Sequence, residues 1–256
     1  MDMRVNAFKA ALRGGRPQIG IWCSLCSHVA IEAIADTGFH WALIDTEHSP
    51  NELPMVHGQL QALSASPTHP IVRPPWNDNV ALKRLLDIGV QTVLVPFVQN
   101  ADEARRAVAG VRYPPAGSRG VSSLTRANGF GRMTDYFARA DDEICVLAQV
   151  ETRAALAEIE AIAAVDGIDG IFIGPSDLAA DLGHLGQPGH PNVQAAIADA
   201  IGRIRATGKA AGILAPVQAD AQRWLEFGCT FVAVGSDLGL LARGSEALLA
   251  AFSPKE

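Results

Sequence analysis

Residues able to do acid–base or metal chemistry stand at the ends of the apolar segments of this chain. Asp45, Glu47 and His48 follow one such run, Arg73 the next, Gln149 and Glu151 a later one, and Asp177 and Asp237 two more. Carboxylates are the ligands that Mg²⁺ and Mn²⁺ prefer, and a histidine titrates near neutral pH. An arginine adds a fixed cationic fork. Together these residue types indicate a site that stabilises negative charge developing on a ketone oxygen.

Two of the carboxylates end neighbouring strands of the pattern. The run 144–151 is apolar until Gln149 and Glu151, which share a face because side chains alternate along a strand. Asp177 stands where the apolar run 169–173 turns into a helix. The helix-rich segment 152–164 is long enough for a right-handed crossover, so both strands run parallel and both carboxylates emerge at one edge. The spacing predicts that a divalent cation binds there. The alternative is that both acids only stabilise the first turns of the following helices, where the helix dipole favours negative charge.

Three further residues fit the same chemistry. His48, preceded by Asp45, can shuttle a proton, and Arg73 suits a developing oxyanion or a carboxylate. Two simpler interpretations stay open, a solvent-exposed His48 without a role and an Arg73 that only pairs with a nearby acid. Gly174, Pro175 and Ser176 begin a helix, where free N–H groups can bind an anion, although proline is also common at a first helical turn.

The lysines do not fit a Schiff-base mechanism. Such an enzyme needs a desolvated lysine at the functional end of a strand. The four lysines are Lys9, Lys83, Lys209 and Lys255, of which Lys83 lies in a predicted helix, Lys209 enters its strand from the opposite end, and the others are near the termini. A metal ion is the remaining way to hold the electrons released by bond cleavage.

About eight strand-then-helix units fill the chain. The strands are predicted at 19–25, 41–48, 70–75, 91–96, 144–151, 169–173, 210–214 and 231–235. Eight such units in 256 residues are typical of an α/β (β/α)₈ barrel. A doubly wound sheet is the alternative, but its glycine fingerprint is missing after the first strand. Because no linker or shift in composition divides the sequence, we expect one barrel domain over 1–256, with its active site at the carboxyl ends of the strands.

Composition narrows the functional class. The chain is 48% hydrophobic with a net charge of −6, and it has no basic arm, which argues against a nucleic-acid partner. Without an 18-residue apolar run or a signal pattern, we expect no membrane partner and a cytoplasmic location. The cysteines, including the lone pair Cys23 and Cys26, have no zinc spacing, so we interpret them as structural thiols.

Several motifs together resemble the HpcH/HpaI aldolase family over nearly the whole chain. They are the segment 44–50 around Asp45 and His48, the strand of Arg73, the run 90–96, the loop 113–120, and the segments 149–152 and 172–178. The resemblance implies a metal-dependent (class II) aldehyde-lyase with a phosphoenolpyruvate/pyruvate-type (β/α)₈ barrel. It also implies a homo-oligomer, a hexamer built as a trimer of dimers that exchange their C-terminal helix.

The resemblance implies a role for each matching residue. Glu151 and Asp177 would bind Mg²⁺, Mn²⁺ or Co²⁺. His48, Asp45 and Arg73 would be catalytic, and Asp87 would join the relay, in some members across a subunit boundary. The substrate would contact the following residues: Gly174, Pro175, Ser176, Trp22, Gln149 and Leu214. The loops 122–124 and 214–216 would set the choice of aldehyde.

The implied activity is reversible cleavage of a 4-hydroxy-2-oxo acid to pyruvate, or hydroxypyruvate, and an aldehyde through a metal-stabilised enolate. Three alternatives stay open. One is an acyl-CoA carbon–carbon lyase of the same superfamily, which needs a basic groove for the phosphates of coenzyme A. The others are a metal-dependent isomerase or hydrolase and a non-catalytic sensor of 2-oxo acids.

Overall fold

The computed structural model describes residues 2–252 and contains a closed barrel of eight parallel strands. The strands are β1 Gln18–Cys23, β2 Trp41–Asp45, β3 His69–Arg73, β4 Thr92–Val95, β5 Cys145–Val150, β6 Ile168–Ile173, β7 Ala210–Leu214 and β8 Phe231–Ser236. Each strand pairs in parallel with the next, and β8 closes the barrel against β1. The (β/α)₈ barrel expected from the eight repeating units is therefore confirmed.

Helices follow the strands around the outside of the barrel. They are α1 Ala7–Arg13, α2 His28–Ala35, α3 Leu53–Ala62, α4 Asn79–Asp87, α5 Ala101–Val111, α6 Tyr136–Glu143, α7 Arg153–Ala157, α8 Ile159–Ala163, α9 Pro175–Asp181, α10 Pro191–Ala206, α11 Gln218–Phe227 and α12 Asp237–Phe252. A 3₁₀ turn, Leu63–Ala65, follows α3. Within the part of the chain that the structure describes, no helix is long and apolar enough to cross a bilayer.

Large aromatic side chains fill the barrel interior, and glycines make room for them. The rings of Trp41 and Phe231 are buried there, 6.3 Å apart between centroids. A Cβ atom at Gly20 would lie 2.1 Å from the Trp41 ring, and one at Gly212 would lie 2.2 Å from the Phe231 ring. Because interiors are packed at crystal density, these positions accept no side chain without displacing the ring opposite.

The first helix closes the end of the barrel at which the strands begin. Phe8 of α1 packs edge-on against Phe231 at 5.9 Å and stacks on His69 at 5.6 Å. The helix begins at Ala7, because the Asn6 side chain accepts the N–H of Lys9 and caps it. Because α1 plugs this end of the barrel, the opposite end, where the strands finish, is the open rim.

One strand end and one helix differ from the sequence pattern for local reasons. Strand β2 ends at Asp45 rather than at residue 48, because Oδ1 of Asp45 accepts the N–H of Glu47 at 3.0 Å and starts a turn. Helix α6 was not predicted, since it is short and only Tyr136 and Ala140 of its eight residues are buried.

The last helix stands away from the barrel. Of the residues in α12, only Asp237 is buried, and Leu240, Leu241 and Leu248 are 62%, 58% and 65% exposed. The Asp237 carboxylate accepts the N–H groups of Ser24 and of the residue after it, at 2.9 and 3.1 Å. Asp237 therefore ties the start of α12 to the end of β1 rather than facing a ligand.

Candidate active site

The side chains singled out in the sequence meet, with one exception, at the carboxyl ends of the strands. Asp45 and Arg73 are the last residues of β2 and β3 and lie opposite each other in the strand register. Glu151 follows β5 directly, and Asp177 lies in the first turn of α9, which follows β6. Active sites of (β/α)₈ barrels form at this rim, so the fold gathers the charged residues where chemistry is expected.

Arg73 is the centre of a buried charge network. Its Nε and Nη2 donate to the two carboxylate oxygens of Asp45 at 2.9 and 2.8 Å, in the two-pronged geometry typical of strong arginine–carboxylate pairs. Its Nη1 lies 2.8 Å from Oε2 of Glu47, a charge contact without hydrogen-bond geometry. The guanidinium also lies 4.8 Å from the ring centroid of Trp22, whose Nε1 donates to Asp45 at 3.2 Å. The fork is thus fixed in place before any substrate binds.

The pKa values of the two acids in this network shift in opposite directions. Burial raises the pKa of Asp45, but hydrogen bonds and charge from Arg73 outweigh burial, so the pKa of Asp45 is lowered overall. For Glu47 the burial prevails over the attraction of Arg73, and the charges of Asp45 and Asp177 help to raise its pKa. The positive charge of Arg73 therefore outweighs the cost of burying a charged Asp45, but it offsets only part of that cost for Glu47.

Glu151 lies in a tight polar pocket. Its Oε1 accepts the backbone N–H of Phe97 at 2.9 Å, and its Oε2 accepts Nε2 of Gln149 at 2.6 Å, so these two side chains do share a face as predicted. The other amide atom of Gln149, Oε1, is buried and lacks a hydrogen-bond partner among the described residues. A buried acceptor without a donor is rare and indicates room for water or for a ligand with N–H or O–H groups.

Electrostatics at Glu151 favour a bound cation. Burial raises its pKa to about 7, and the charges of Asp177 and Glu47 add to this effect against the hydrogen bond from Gln149. The charges of Glu151, Asp177 and Glu47 thus repel one another, while Arg73 is engaged by Asp45 and Glu47. A divalent ion would offset this repulsion, so the residues present fit a metal.

The number of protein ligands also suits such an ion. Over residues 2–252 no three histidine, cysteine, aspartate or glutamate side chains form a metal-binding group. Mg²⁺ and related hard cations commonly bind one or two carboxylates and complete their shell with water and substrate oxygens. Glu151 and Asp177 are the pair that would hold the cation here.

Gly174 offers a test of how closely this pocket is packed. A Cβ atom at Gly174 would lie 2.2 Å from Oε2 of Glu151 and 3.2 Å from Nε2 of Gln149. We expect Gly174→Ala to displace the Glu151 carboxylate and lower kcat/KM by about 10-fold or more, at the ~1.4 kcal/mol per decade of transition-state theory. Gly189→Ala, where nothing lies within 4 Å, is the matched control. Equal activity of the two variants would contradict the geometry described for the pocket.

His48 lies on the exposed side of the rim. Its backbone N–H approaches Oδ1 of Asp45 at 3.5 Å, but in the described chain no hydrogen bond reaches its imidazole. Both oxygens of Asp45 are instead used by Arg73 and Trp22. A direct His48–Asp45 pair is therefore absent from this conformation, and the imidazole is free to contact water.

The remaining rim candidates are close to these charges. Trp22 is 6% exposed at the end of β1, and its ring packs 5.8 Å from that of Phe172. Leu214 ends β7 half-buried, beside the apolar cluster inside the barrel. Ser176 is exposed and Pro175 half-buried at the start of α9. All four residues border the open end of the barrel, and Ser176, Pro175 and Leu214 are at least partly exposed there.

Asp87 is the exception, because the fold carries it away from the rim of its own chain. It ends α4, next to the residues that lead into the start of β4, at the plugged end of the barrel. Its carboxylate pairs with Arg119 at 3.1 Å, and Arg119 is fully buried against the ring of Tyr113 at 4.5 Å. The helix after a barrel strand runs back towards the beginning of the next strand, so Asp87 lies away from the rim of its own chain, and its place in a relay across a subunit boundary stays a prediction.

Two contributors to the site were not identified from sequence. Glu47 was noted at a strand end without a role, yet it completes the Arg73 network. Phe97 contributes its backbone N–H to Glu151 from a left-handed conformation, with φ of 55°, and its ring stacks on Trp76 at 5.8 Å. Non-glycine residues seldom adopt positive φ outside functional or strained sites. A backbone donor leaves no signal in residue type, so only the fold reveals Phe97.

Comparison with known proteins shows what the chain resembles. It is 58% identical to a pyruvate aldolase from Rhizobium etli, over 99% of this chain and 100% of that protein. It is 59% identical to a 4-hydroxy-2-oxo-heptane-1,7-dioate aldolase from Klebsiella pneumoniae, over 97% and 94% of the two chains. A crystal structure from Burkholderia cenocepacia, described as an HpcH/HpaI aldolase/citrate lyase family protein, superposes with a TM-score of 0.94 at 40% identity, covering 97% and 100% of the chains.

The family model for HpcH/HpaI aldolase/citrate lyase matches residues 18–244, from the first barrel strand into the last helix. The matched region contains the Arg73 network, the Glu151 pocket and Asp177, which are the features built up above from geometry. The chain belongs to the HpcH/HpaI aldolase/citrate lyase family.

Proposed function

We propose that this protein is a divalent-metal-dependent aldolase that reversibly cleaves 4-hydroxy-2-oxo acids to pyruvate, or hydroxypyruvate, and an aldehyde. The observation that carries the proposal is the presence of two features at one rim. The guanidinium of Arg73 is held in place by Asp45, and the buried Glu151 carboxylate is repelled by the charge of Asp177 in a way that a bound cation would offset. The names of the similar aldolases support the same reaction class.

In this scheme the side chains divide the work of bond cleavage. His48, through a water at the exposed rim, takes the proton of the 4-hydroxyl group. The C3–C4 bond then breaks, the aldehyde leaves, and the bonding electrons pass into the pyruvyl part. Arg73, whose two Nη atoms each carry a second N–H, stabilises the oxygen on which charge develops. The proton taken up by His48 returns through the water to C3 and completes the formation of pyruvate.

Glu151 and Asp177 would hold Mg²⁺, Mn²⁺ or Co²⁺. When bound, the cation would polarise the 2-oxo group and offset negative charge on its oxygen. Gln149 and Phe97 orient Glu151 through their hydrogen bonds. This orientation fixes the carboxylate in one position, as surrounding hydrogen bonds do for metal ligands generally.

Substrate selection is assigned to the residues around these charges. Gly174, Pro175 and Ser176 form the turn that would take the 2-oxo carboxylate, and Trp22 and Leu214 would bound the pyruvyl pocket. Gln149 has a buried acceptor, Oε1, without a hydrogen-bond partner among the described residues, and it could accept a donor group of the substrate. The loop 214–216 follows β7 and would contact the aldehyde at the rim of its own chain. The loop 122–124, whose Leu124 is 72% exposed, packs beside Gly131 towards the opposite end of the barrel and would contact the aldehyde of a neighbouring subunit.

Assembly is the part of the proposal that explains Asp87 and α12. A hexamer arranged as a trimer of dimers, with the last helix exchanged, would cover leucines of α12 that are more than half exposed. It would also give Asp87 a role at the rim of a neighbouring subunit. Sedimentation of the full chain tests this: a monomer at micromolar concentration would contradict it.

The four cysteines are compatible with the cytoplasmic location that we propose. Cys23, Cys26, Cys145 and Cys229 are free thiols. Burial raises the pKa of Cys23 and Cys145, which suits inert packing rather than thiolate chemistry. Incubation of the folded protein with a thiol reagent should therefore leave Cys23 and Cys145 unmodified, as mass spectrometry would show.

The reaction class is tested by pyruvate release, coupled to lactate dehydrogenase, from a panel of 4-hydroxy-2-oxo acids. We expect turnover that EDTA abolishes and that Mg²⁺, Mn²⁺ or Co²⁺ restores, because the described lysines Lys9, Lys83 and Lys209 all lie away from the rim, and Lys255 is outside the described residues. Turnover that survives chelation, or trapping of pyruvate by borohydride, would refute the proposal. A parallel assay with acyl-CoA thioesters tests the lyase alternative.

A further inference from the structure

A second cavity lies at the end of the barrel opposite to the active site. Its volume is about 500 Å³, within the range of small-molecule sites. It is bounded by the segment before α1, by the end of α3 and its 3₁₀ turn, and by His69, Gln91 and Ile144 at the beginnings of β3, β4 and β5. Because strands begin here, the cavity is separated from Arg73 and Glu151 by the length of the barrel.

Three arginines converge on this cavity without an acid to balance them. Arg4, Arg126 and Arg132 all line it, and no aspartate or glutamate does. Over residues 2–252 none of the three forms a salt bridge. In a chain with net charge −6, three neighbouring cations left unpaired form a local positive centre.

The contacts that hold these arginines use only part of their capacity. Arg126 donates to the carbonyl of Ile88 at 2.8 Å and weakly to that of Leu60 at 3.4 Å. Arg4 donates to the carbonyl of Ser64, and Arg132 to that of Gly129 at 3.1 Å. A guanidinium has five N–H groups, so each keeps donors for an anion. Arg4 and Arg126 line the same cavity, and burial and then the charge of Arg4 lower the pKa of Arg126.

The rest of the wall is mainly apolar. Leu60, Met133 and the buried Tyr136 also line the cavity. His69 adds no charge, because burial and then the charge of Arg4 lower its pKa to about 4. Its Nε2 is also bonded to Thr92 at 2.8 Å. A ligand that fills this space would combine one anionic group with an uncharged hydrophobic body.

A strained aromatic residue stands at the mouth. Phe130 has φ of 57° between two glycines that also have positive φ, and it is 59% exposed. The guanidinium of Arg132 lies 6.0 Å from its ring centroid. Non-glycine residues hold this conformation only where surrounding structure imposes it, commonly at ligand clamps. The exposed ring offers a stacking surface beside a cation.

We propose that this arginine-lined cavity binds a small organic carboxylate with an aromatic or branched apolar body. Arg126 and Arg132 would bind the carboxylate, and Phe130 and the apolar wall would contact the body. The site lies at the opposite end of the barrel from the catalytic rim of its own chain, and its occupancy does not depend on the proposed aldolase reaction.

The test uses isothermal titration calorimetry of the full chain with 1-naphthoate. The neutral 1-naphthalenemethanol and the cationic 1-naphthylmethylamine are probes of similar shape. We expect 1-naphthoate to bind with an affinity about 10-fold or more above either analogue, as charge-assisted hydrogen bonds predict. The double variant Arg126→Gln/Arg132→Gln should lose this advantage, whereas Arg16→Gln, which removes an exposed arginine that does not line the cavity, should keep it.

Saturating pyruvate with Mg²⁺ should not displace the probe, and the melting temperature should show that the double variant is folded. If it is not folded, Arg132→Gln alone, at an exposed position, serves as the variant. Four results would overturn the proposal: no binding at millimolar probe, equal binding of the neutral analogue, unchanged binding by the arginine variants, or displacement by pyruvate. Binding is measured without turnover, so failure of the aldolase assay would leave this result unaffected.

Discussion

Replacing Glu151 by Gln is expected to lower kcat/KM for aldol cleavage by about 10³-fold or more, since a cation supplies several kcal/mol of transition-state stabilisation and each decade is ~1.4 kcal/mol. The amide keeps the volume of the side chain, and the fold should persist. The reason is specific: the Glu151 carboxylate is buried next to Asp177 and carries the charge that a cation needs. The measurement is steady-state pyruvate release at saturating Mn²⁺.

The matched control for this variant is Glu226→Gln, which makes the same change at an exposed position on α11. It should retain full activity and metal dependence. If Glu151→Gln kept activity within about 3-fold of the parent, a loss of less than ~1 kcal/mol, the carboxylate would not be a metal ligand.

The same variant should have the opposite effect on stability without metal. The folded chain holds the Glu151 proton up to a pKa of about 7, whereas an ordinary glutamate releases it near 4.5. The free energy of unfolding is therefore highest below pH 4.5 and falls as the pH rises from 4.5 to about 7. The loss is up to ~3 kcal/mol, since each pKa unit corresponds to about 1.36 kcal/mol. In EDTA, urea unfolding at pH 5 and pH 8 should show this loss in the parent and little of it in Glu151→Gln. Equal pH dependence of both proteins would contradict the burial argument.

Arg73→Ala is expected to lose activity and stability together. Loss of the oxyanion donor should lower kcat by about 10²–10³-fold, the usual effect of removing one such group. Metal affinity should change far less, because Arg73 contacts Asp45 and Glu47 and not Glu151. Removing one partner of a buried ion pair should also cost about 3–5 kcal/mol in the free energy of unfolding, since Asp45 is left buried and unpaired.

A double variant separates these two effects of Arg73. Arg73→Ala/Asp45→Asn removes the orphaned charge and should recover part of the stability without recovering turnover. Arg84→Ala, at an exposed position of α4, is the control for loss of an arginine. Recovery of activity in the double variant would show that Arg73 only supports the fold.

The barrel could be predicted from sequence because its signal is repeated. Each strand is short, apolar and followed by a helical pattern, so an error of two residues at one boundary does not change the count. The end of β2 at Asp45 was missed because an aspartate turn, rather than hydrophobicity, decides it. Helix α6 was missed because it buries too few residues to produce a helical period.

The site was predictable where it depends on strand parity and strand ends, and not where it depends on the path of the chain. Gln149 and Glu151 had to share a face, and they do. Asp87 has the right residue type but ends a helix at the opposite end of the barrel. The donor from Phe97 is a backbone group in a left-handed conformation, which residue type does not reveal.

The most direct test of the account is anomalous diffraction from crystals grown with Mn²⁺ and pyruvate. We predict one manganese peak at about 2.0–2.2 Å from an oxygen of Glu151 and an oxygen of Asp177, distances typical of octahedral oxygen coordination. Pyruvate should complete the coordination shell, with its 2-oxo oxygen within hydrogen-bond reach of Arg73. A manganese peak elsewhere, or bound pyruvate with no metal between these two carboxylates, would contradict the central claim.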